Sequence, residues 1–288
     1  MRPLRARALR LAAVLRLAAV PAAAVSSAAW GGEARAQADG LPARSTATVL
    51  PPGAWSVGVI DPLRVGVLPR LELVTHPVLD AMLSPNVLTR VAWLQRSAIR
   101  LVGEYGWSVP TMAMRWLGQG YLFPSWDRGG GRVGWFLVPS AAAVVATGTR
   151  DVWTARVETA AGIGIGPNDA TLPESWAPLD LLLAPALTGL RSRVGLAYDR
   201  PLARWARVRA AIDAWMVGKT FDPPRSSLYL SGQIAFDLAL GRHARLVIGA
   251  SVYDSDQHRT EVVCEPRCRR ERVRNVDVFP VVDFIWQN

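Results

Sequence analysis

Three histidines, His76, His243 and His258, are the chain's whole supply of the side chain best suited to proton transfer near neutral pH. Only His258 stands among other polar donors. The run Asp254-Ser-Asp256-Gln-His258 alternates oxygen and nitrogen groups, and it offers an acid/base pair or the start of a metal site. No partner motif accompanies it. His76 precedes Pro77 and His243 follows Gly241-Arg242, positions typical of solvated or capping residues. There is no Gly-x-Ser-x-Gly elbow, no His-Glu-x-x-His helix and no phosphate loop. Gly162-Ile-Gly-Ile-Gly166 lacks a following helical pattern and reads as a flexible strand end. Cys264 and Cys268 enclose only Glu-Pro-Arg, and a metal site would need two further soft ligands. No catalytic residue, metal site or cofactor is therefore assigned, and His258 with Asp254 and Asp256 is kept as the one candidate for chemistry.

A second set of chemical groups is larger. Arg70, Glu72, Arg90, Arg100, Glu104, Arg156, Glu158, Arg193, Arg207, Arg209, Asp213, Asp237, Arg245 and Asp283 each interrupt an apolar alternation, falling on the polar face of a period-two segment. Arginine outnumbers carboxylate among them. The surplus suits an anion-favouring pore lining, and an equally simple alternative is a filled interior of arginine–carboxylate networks.

The net charge of +10 over 288 residues suggests nucleic acid until it is located. Lys219 is the single lysine, the other basic residues being arginine, a bias unlike a general phosphate-binding surface. Residues 1–36 have the form of an export signal: Arg2, Arg5, Arg7, Arg10 and Arg16, then an apolar run, then Ala34-Arg-Ala36 as a cleavage site. Its removal lowers the net charge to +5 and leaves an exported chain for which nucleic acid is not an expected partner. In an oxidising compartment Cys264 and Cys268 are expected to form a local disulfide.

The elements that must carry these residues are strands. Leu228 to Leu240 places Leu228, Leu230, Ile234, Phe236, Leu238 and Leu240 on one face and Gln233 and Asp237 on the other. The same period recurs at 204–216, 152–163, 98–107 and 65–75, and more weakly at 55–60, 86–95, 132–147, 179–187, 191–198, 245–253 and 276–286. Turn chemistry separates them and no helical period intervenes. Several segments exceed the ~5–6 residues of soluble strands and match the ~9–11 that cross a bilayer obliquely. Trp55, Trp93, Trp107, Trp153, Trp205, Trp215 and Trp286 lie near segment ends, as in an interfacial girdle. The fold expected is an all-β, antiparallel up-and-down transmembrane β-barrel of about twelve strands, with ten to fourteen allowed. Residues 37–53 form a lead-in, 54–288 the barrel, and 255–273 an outer loop.

The final segment, Val276-Asp-Val-Phe-Pro-Val-Val-Asp-Phe-Ile-Trp286, resembles the closing strand of bacterial outer-membrane β-barrels, with Phe284 and Trp286 as the aromatic insertion signal. Residues Pro52–Gly58, Val65–Pro77 and Ser84–Asn86 resemble the first hairpins of uncharacterised outer-membrane proteins. The resemblance implies an outer-membrane location, lipid and the barrel-insertion machinery as partners, and no catalytic motif. It departs from the family in Pro280, which removes a ladder donor, and in two residues that follow Trp286. The function expected is structural, or that of a narrow, weakly anion-favouring pore. Alternatives are a hydrolase, of the kind found among outer-membrane proteases, with its site in the outer loop, and a soluble periplasmic lipocalin-like binder. Segment 108–131 fits none of these simply; it reads as a long connection on the side of the termini or as a concealed hairpin around Met112–Leu117 and Tyr121–Phe123.

Overall fold

A computed structural model of the chain describes residues 41–119, 132–170, 172, 176–218, 227–264 and 268–288, so the expected export signal lies outside the described residues. The strands are β1 (Trp55–Gly58), β2 (Leu63–Leu68), β3 (Leu71–Thr75), β4 (Asn86–Gln95), β5 (Ile99–Ser108), β6 (Trp135–Thr147) and β7 (Val152–Ala161). Then follow β8 (Ile163–Ile165), β9 (Leu190–Ala203), β10 (Ala206–Val217), β11 (Ser227–Ala239), β12 (Ala244–Cys264) and β13 (Cys268–Gln287). Among the described residues three helices interrupt them: α1 (Pro77–Ala81), α2 (Thr111–Gln119) and α3 (Ala177–Thr188).

Every strand pairing is antiparallel, and the sheet closes on itself where β13 meets β1 and β5 meets β6. Strand β8 prolongs β7 along the same neighbour, with Ala160 opposite Ser140 and Ile163 opposite Leu137 in one register. The wall is therefore a closed barrel of twelve strands, as the alternation predicts.

Two differences in detail offset one another in that count. Residues 65–75, expected as one strand, are two, because Pro69 and Arg70 make a tight turn between β2 and β3. Residues 179–187, expected as a strand, belong to α3. Apart from the buried Asp180 the segment is apolar on every side, so it shows no helical period; Pro178 opens the helix and Gly189 caps it. Met112–Leu117, read as a concealed hairpin, is helical in α2. The added turn at Pro69–Arg70 reverses the direction of every strand between it and α3. The connection from β5 to β6 thus joins the barrel end opposite the termini, together with the connections that hold α1 and α3. The termini share their end with the tight turns at 69–70, 96–98, 148–151, 204–205 and 240–243. Expected outer loop 255–273 is instead the extension of the β12–β13 hairpin, whose register continues to Cys264 opposite Cys268.

Alternation sets what each face meets. Val157, Val194, Ile212, Ile234, Val276, Val278 and Val282 all point outward and are more than half exposed, an arrangement stable only if lipid is the solvent. Trp55, Trp93, Trp153, Trp205 and Trp286 are exposed near the turn end, and Trp107 and Trp135 near the other. Trp215 corrects the girdle: it faces inward, donates to Ser231 Oγ at 3.1 Å and lies under Arg193 at 4.4 Å. Inside, α3 fills the far half of the lumen between β6, β7, β9, β10 and β12. Leu181 and Ala184 meet Val217 and Tyr229, and Leu183 and Ala186 meet Phe136 and Met114.

Closure at β1 is brief. Only Ser56, Val57 and Gly58 pair with β13, opposite Gln287, Trp286 and Ile285. The Val59 N–H adds a bond to the Phe284 carbonyl at 3.2 Å, and Asn288 N–H one to the Trp55 carbonyl. Those bonds show that the even residues of β13 turn their backbone toward β1, so the donor missing at Pro280 faces the stretch of edge that β1 does not reach. This is where proline belongs in a sheet.

Gly162 marks the break between β7 and β8, where α3 presses closest: a Cβ there would lie 1.8 Å from the Pro185 carbonyl oxygen. The variant Gly162→Val is expected to unseat α3 and to lower stability by about 1–3 kcal/mol. Urea unfolding in detergent micelles, compared with the wild type, measures it.

Candidate functional site

The interior is a charge system built on the polar faces of the strands. From β2 to β10 it forms one alternating chain. Arg64 donates to Glu72 at 2.7 Å, Arg90 reaches Glu72 at 3.1 Å and Glu104 at 2.9 Å, and Arg156 bridges Glu104 to Glu158. Glu158 then takes Arg191 and Arg193, and Arg193 donates to Asp213 at 2.8 Å. Glu72, Arg90 and Glu104 are buried almost completely, so each charge is held by its neighbours rather than by water. Arg191 also bonds the Leu181 carbonyl of α3 at 2.6 Å, fixing the internal helix to the wall.

The lead-in is part of this interior. Residues 41–50 cross the lumen at the turn end, held chiefly by their backbone carbonyls. Arg207 donates to Leu41 O at 3.0 Å, Arg245 to Pro42 O at 2.8 Å and Arg209 to Arg44 O at 2.7 Å. Arg90 donates to both Thr46 O and Thr48 O, and Gln95 to Ala47 O. In the other direction Leu50 N–H donates to Glu72 Oε2 at 2.8 Å. The Arg44 side chain donates to Asp61 and Asp237, and Ala47 packs among Ala92, Val102, Val144 and Val152. The chain enters the lumen over Gly66, where a Cβ would stand 2.0 Å from the Pro51 carbonyl oxygen. Each bond from a guanidinium to a carbonyl is of the charge-assisted kind, worth about 1.5–3 kcal/mol. Together they make a plug.

The fourteen residues proposed as lumen-lining occupy varied places. Glu72, Arg90, Glu104, Arg207, Asp237, Arg245 and Asp283 are buried, while Arg100, Arg156, Glu158, Arg193, Arg209 and Asp213 are half-buried. Arg70 stands exposed in the β2–β3 turn instead. Asp283 accepts from the backbone N–H groups of Val59, Ile60 and Asp61, so it holds the β1–β2 turn. Residues missed from the sequence are Arg44, Asp61, Arg64, Arg191 and Asp199. Arg64, Arg191 and Asp199 obey the same alternation as their recognised neighbours, and Asp199 lies within β9 rather than at a turn, where it pairs with Arg209 at 3.1 Å.

Of the candidate acid/base group only Asp254 has a described side chain. Asp254 is engaged by Arg274 at 2.8 Å on the β12–β13 extension, and the side chains of Asp256 and His258 lie outside the described residues. Among the described residues no group of three His, Cys, Asp or Glu side chains is placed to hold a metal ion.

A closed barrel with an apolar exterior, charged interior and short turns at the end of its termini has the architecture of bacterial outer-membrane β-barrels. No family model and no curated protein matches the sequence. Among solved structures the chain is similar to the outer-membrane-expressed OmpT of Vibrio cholerae, at 6% identity and a TM-score of 0.42, covering 81% of this chain and 64% of that one. It is similar to an outer membrane channel from Pseudomonas putida F1 at 9% identity and a TM-score of 0.42, covering 86% of this chain and 100% of that one. A third, the CymD monoaromatic hydrocarbon channel, gives 8% identity and a TM-score of 0.32, over 83% of this chain and 88% of that one. The chain thus spans somewhat under two thirds of the length of the Vibrio protein, and no property of these proteins is carried across at such likeness.

The ion chain yields a test. Replacing Glu104 by Gln leaves Arg90 and Arg156 without their shared carboxylate and is expected to cost about 3–5 kcal/mol. Adding Arg156→Gln is expected to restore part of that loss, as a double-mutant cycle by chemical unfolding measures.

Proposed function

We propose that this protein is an integral outer-membrane β-barrel whose pore is closed at rest by its own N-terminal lead-in. The observation that carries the reading is the crossing of the turn-end mouth by residues 41–50, bonded there by Arg90, Arg207, Arg209 and Arg245. The exposed outward valines and isoleucines support lipid rather than water around the wall, against a soluble lipocalin-like binder.

The anion preference expected from the surplus of arginine follows from the same contacts. While the plug is in place, four guanidinium groups are occupied by carbonyl oxygens. Two of them, Arg90 and Arg209, keep carboxylate partners, so withdrawing the plug bares chiefly Arg207 and Arg245 on a narrow lumen and favours anions. Lipid and the barrel-insertion machinery are the partners this reading requires, the second through Phe284 and Trp286. Cys264 and Cys268, a registered pair at the end of the β12–β13 hairpin, are expected on this reading to form a disulfide in an oxidising compartment.

Heat-modifiable mobility and membrane fractionation test the barrel, and recovery in the soluble fraction would overturn it. Planar-bilayer recording tests the plug. The intact protein is expected to stay silent or nearly so, and a variant lacking residues 41–50 to conduct steadily with an anion-favouring reversal potential. The milder variant Arg207→Ala with Arg245→Ala is expected to flicker open. Silence of both variants when folded sinks the gated-pore reading and leaves a structural barrel. Thiol labelling of the denatured, unreduced protein is expected to find neither Cys264 nor Cys268 free.

A further inference from the structure

Most arginines of the interior are matched to carboxylates, but three at the turn end are not. Arg209 takes Asp199, and Arg44 takes Asp237. Arg100, Arg207 and Arg245 have no ion pair among the described residues and donate only to backbone carbonyls. The exposure of Arg207 is 6% and that of Arg245 is 4%, so bulk water does not compensate them.

Their bonds place them side by side. Arg100 donates to Gly148 O at 2.7 Å and Arg207 to Arg150 O at 3.3 Å, two carbonyls of the same β6–β7 turn. Arg207 and Arg245 in turn hold Leu41 and Pro42, consecutive residues of the lead-in. Arg207 is close enough to repel both Arg100 and Arg245. Each keeps a buried Nε–H with no acceptor, and so does the hydroxyl of Thr154, which is 4% exposed. Thr154 and Arg100 face the same residue of β6, Ala146, from opposite sides. Four unused donors thus lie at the turn end, three of them on guanidinium groups with no direct ion pair, although Asp199 and Asp237 attract Arg207, and Asp237 attracts Arg245, from a distance.

We propose that Arg100, Thr154, Arg207 and Arg245 form a binding site for a multi-oxygen anion, of the phosphate or carboxylate kind, at the turn-end mouth. Only an acceptor with several oxygens can take donors from four strands at once. The Nη groups of Arg207 and Arg245 remain on the lead-in while their Nε groups hold the anion, so an occupied site fixes the plug rather than displacing it. The site deepens the plugged-barrel reading, since two of its three guanidinium groups, those of Arg207 and Arg245, also hold the lead-in. Its readout is stability, not conductance, so the two readings fail separately. The oxyanion could be free phosphate, or a carboxylate of the chain itself, of which Asp39, two residues before Leu41, is nearest in sequence.

The experiment is thermal unfolding of the full mature barrel in detergent, followed by heat-modifiable gel mobility, with sodium phosphate titrated against sodium chloride of equal ionic strength. Phosphate is expected to raise the midpoint by several degrees in a saturable way. Arg100→Gln and Thr154→Val, neither of which touches the lead-in, are expected to abolish or weaken that rise, and Arg100→Lys to keep part of it. If phosphate acts only on an Asp39→Asn variant, the chain's own carboxylate fills the site. No saturable phosphate effect in the wild type or in Asp39→Asn, or an effect undiminished in folded Arg100→Gln and Thr154→Val, overturns the proposal.

Discussion

A peptide group in hydrocarbon has no water to bond, so a sheet that crosses a bilayer must close. That requirement orders the rest of this molecule. Closure makes each strand present one face to lipid and the other to an enclosed lumen, and the period of two assigns every residue to one of them. The outer face is then forced to be apolar. The inner face inherits all the polarity of the wall, in a volume too small to hydrate it freely. Arginine and carboxylate alternate around that volume because each ion there needs its neighbour. The chain Arg64–Glu72–Arg90–Glu104–Arg156–Glu158 is the result, one ion per strand from β2 to β5 and two on β7.

The lumen is filled by two pieces with opposite chemistry. Helix α3 satisfies its own backbone and brings apolar side chains, so it packs against inward apolar residues such as Tyr229 and Phe136. The lead-in has almost no backbone hydrogen bonds of its own to offer, and it brings carbonyl oxygens, which the wall arginines bind. The surplus of arginine over carboxylate on the inner face is the wall's share of that second contact.

These two pieces also divide what the sequence reveals from what it hides. Alternation exposes the outward valines, the inward ions and the all-β class, because each is written in side-chain type at every second position. Helix α3 is hidden, since a segment apolar on all sides but for the single Asp180 has no period to read. The β2–β3 turn is hidden by its economy: Pro69 and Arg70 alone reverse the chain, and the alternation resumes with scarcely a break. The plug is hidden for a deeper reason. Arg207, Arg245 and Arg209 recognise carbonyls of Leu41, Pro42 and Arg44, and a carbonyl is common to all residue types. Only Gly66, needed where the chain crosses β2, betrays its path.

Strand β1 joins the plug to the wall. It is four residues long, with two registered pairs to β2 and three to β13, whereas its neighbour β13 and that strand's other partner β12 run together for most of their length. A force drawing the N-terminus out of the lumen is transmitted along residues 51–54 directly into the most weakly stitched stave of the cask. Asp283, gripping the turn beyond β1, is the rivet that resists it. In mechanical terms the stopper and the seam are one continuous cord, so the load that withdraws the first is delivered to the second.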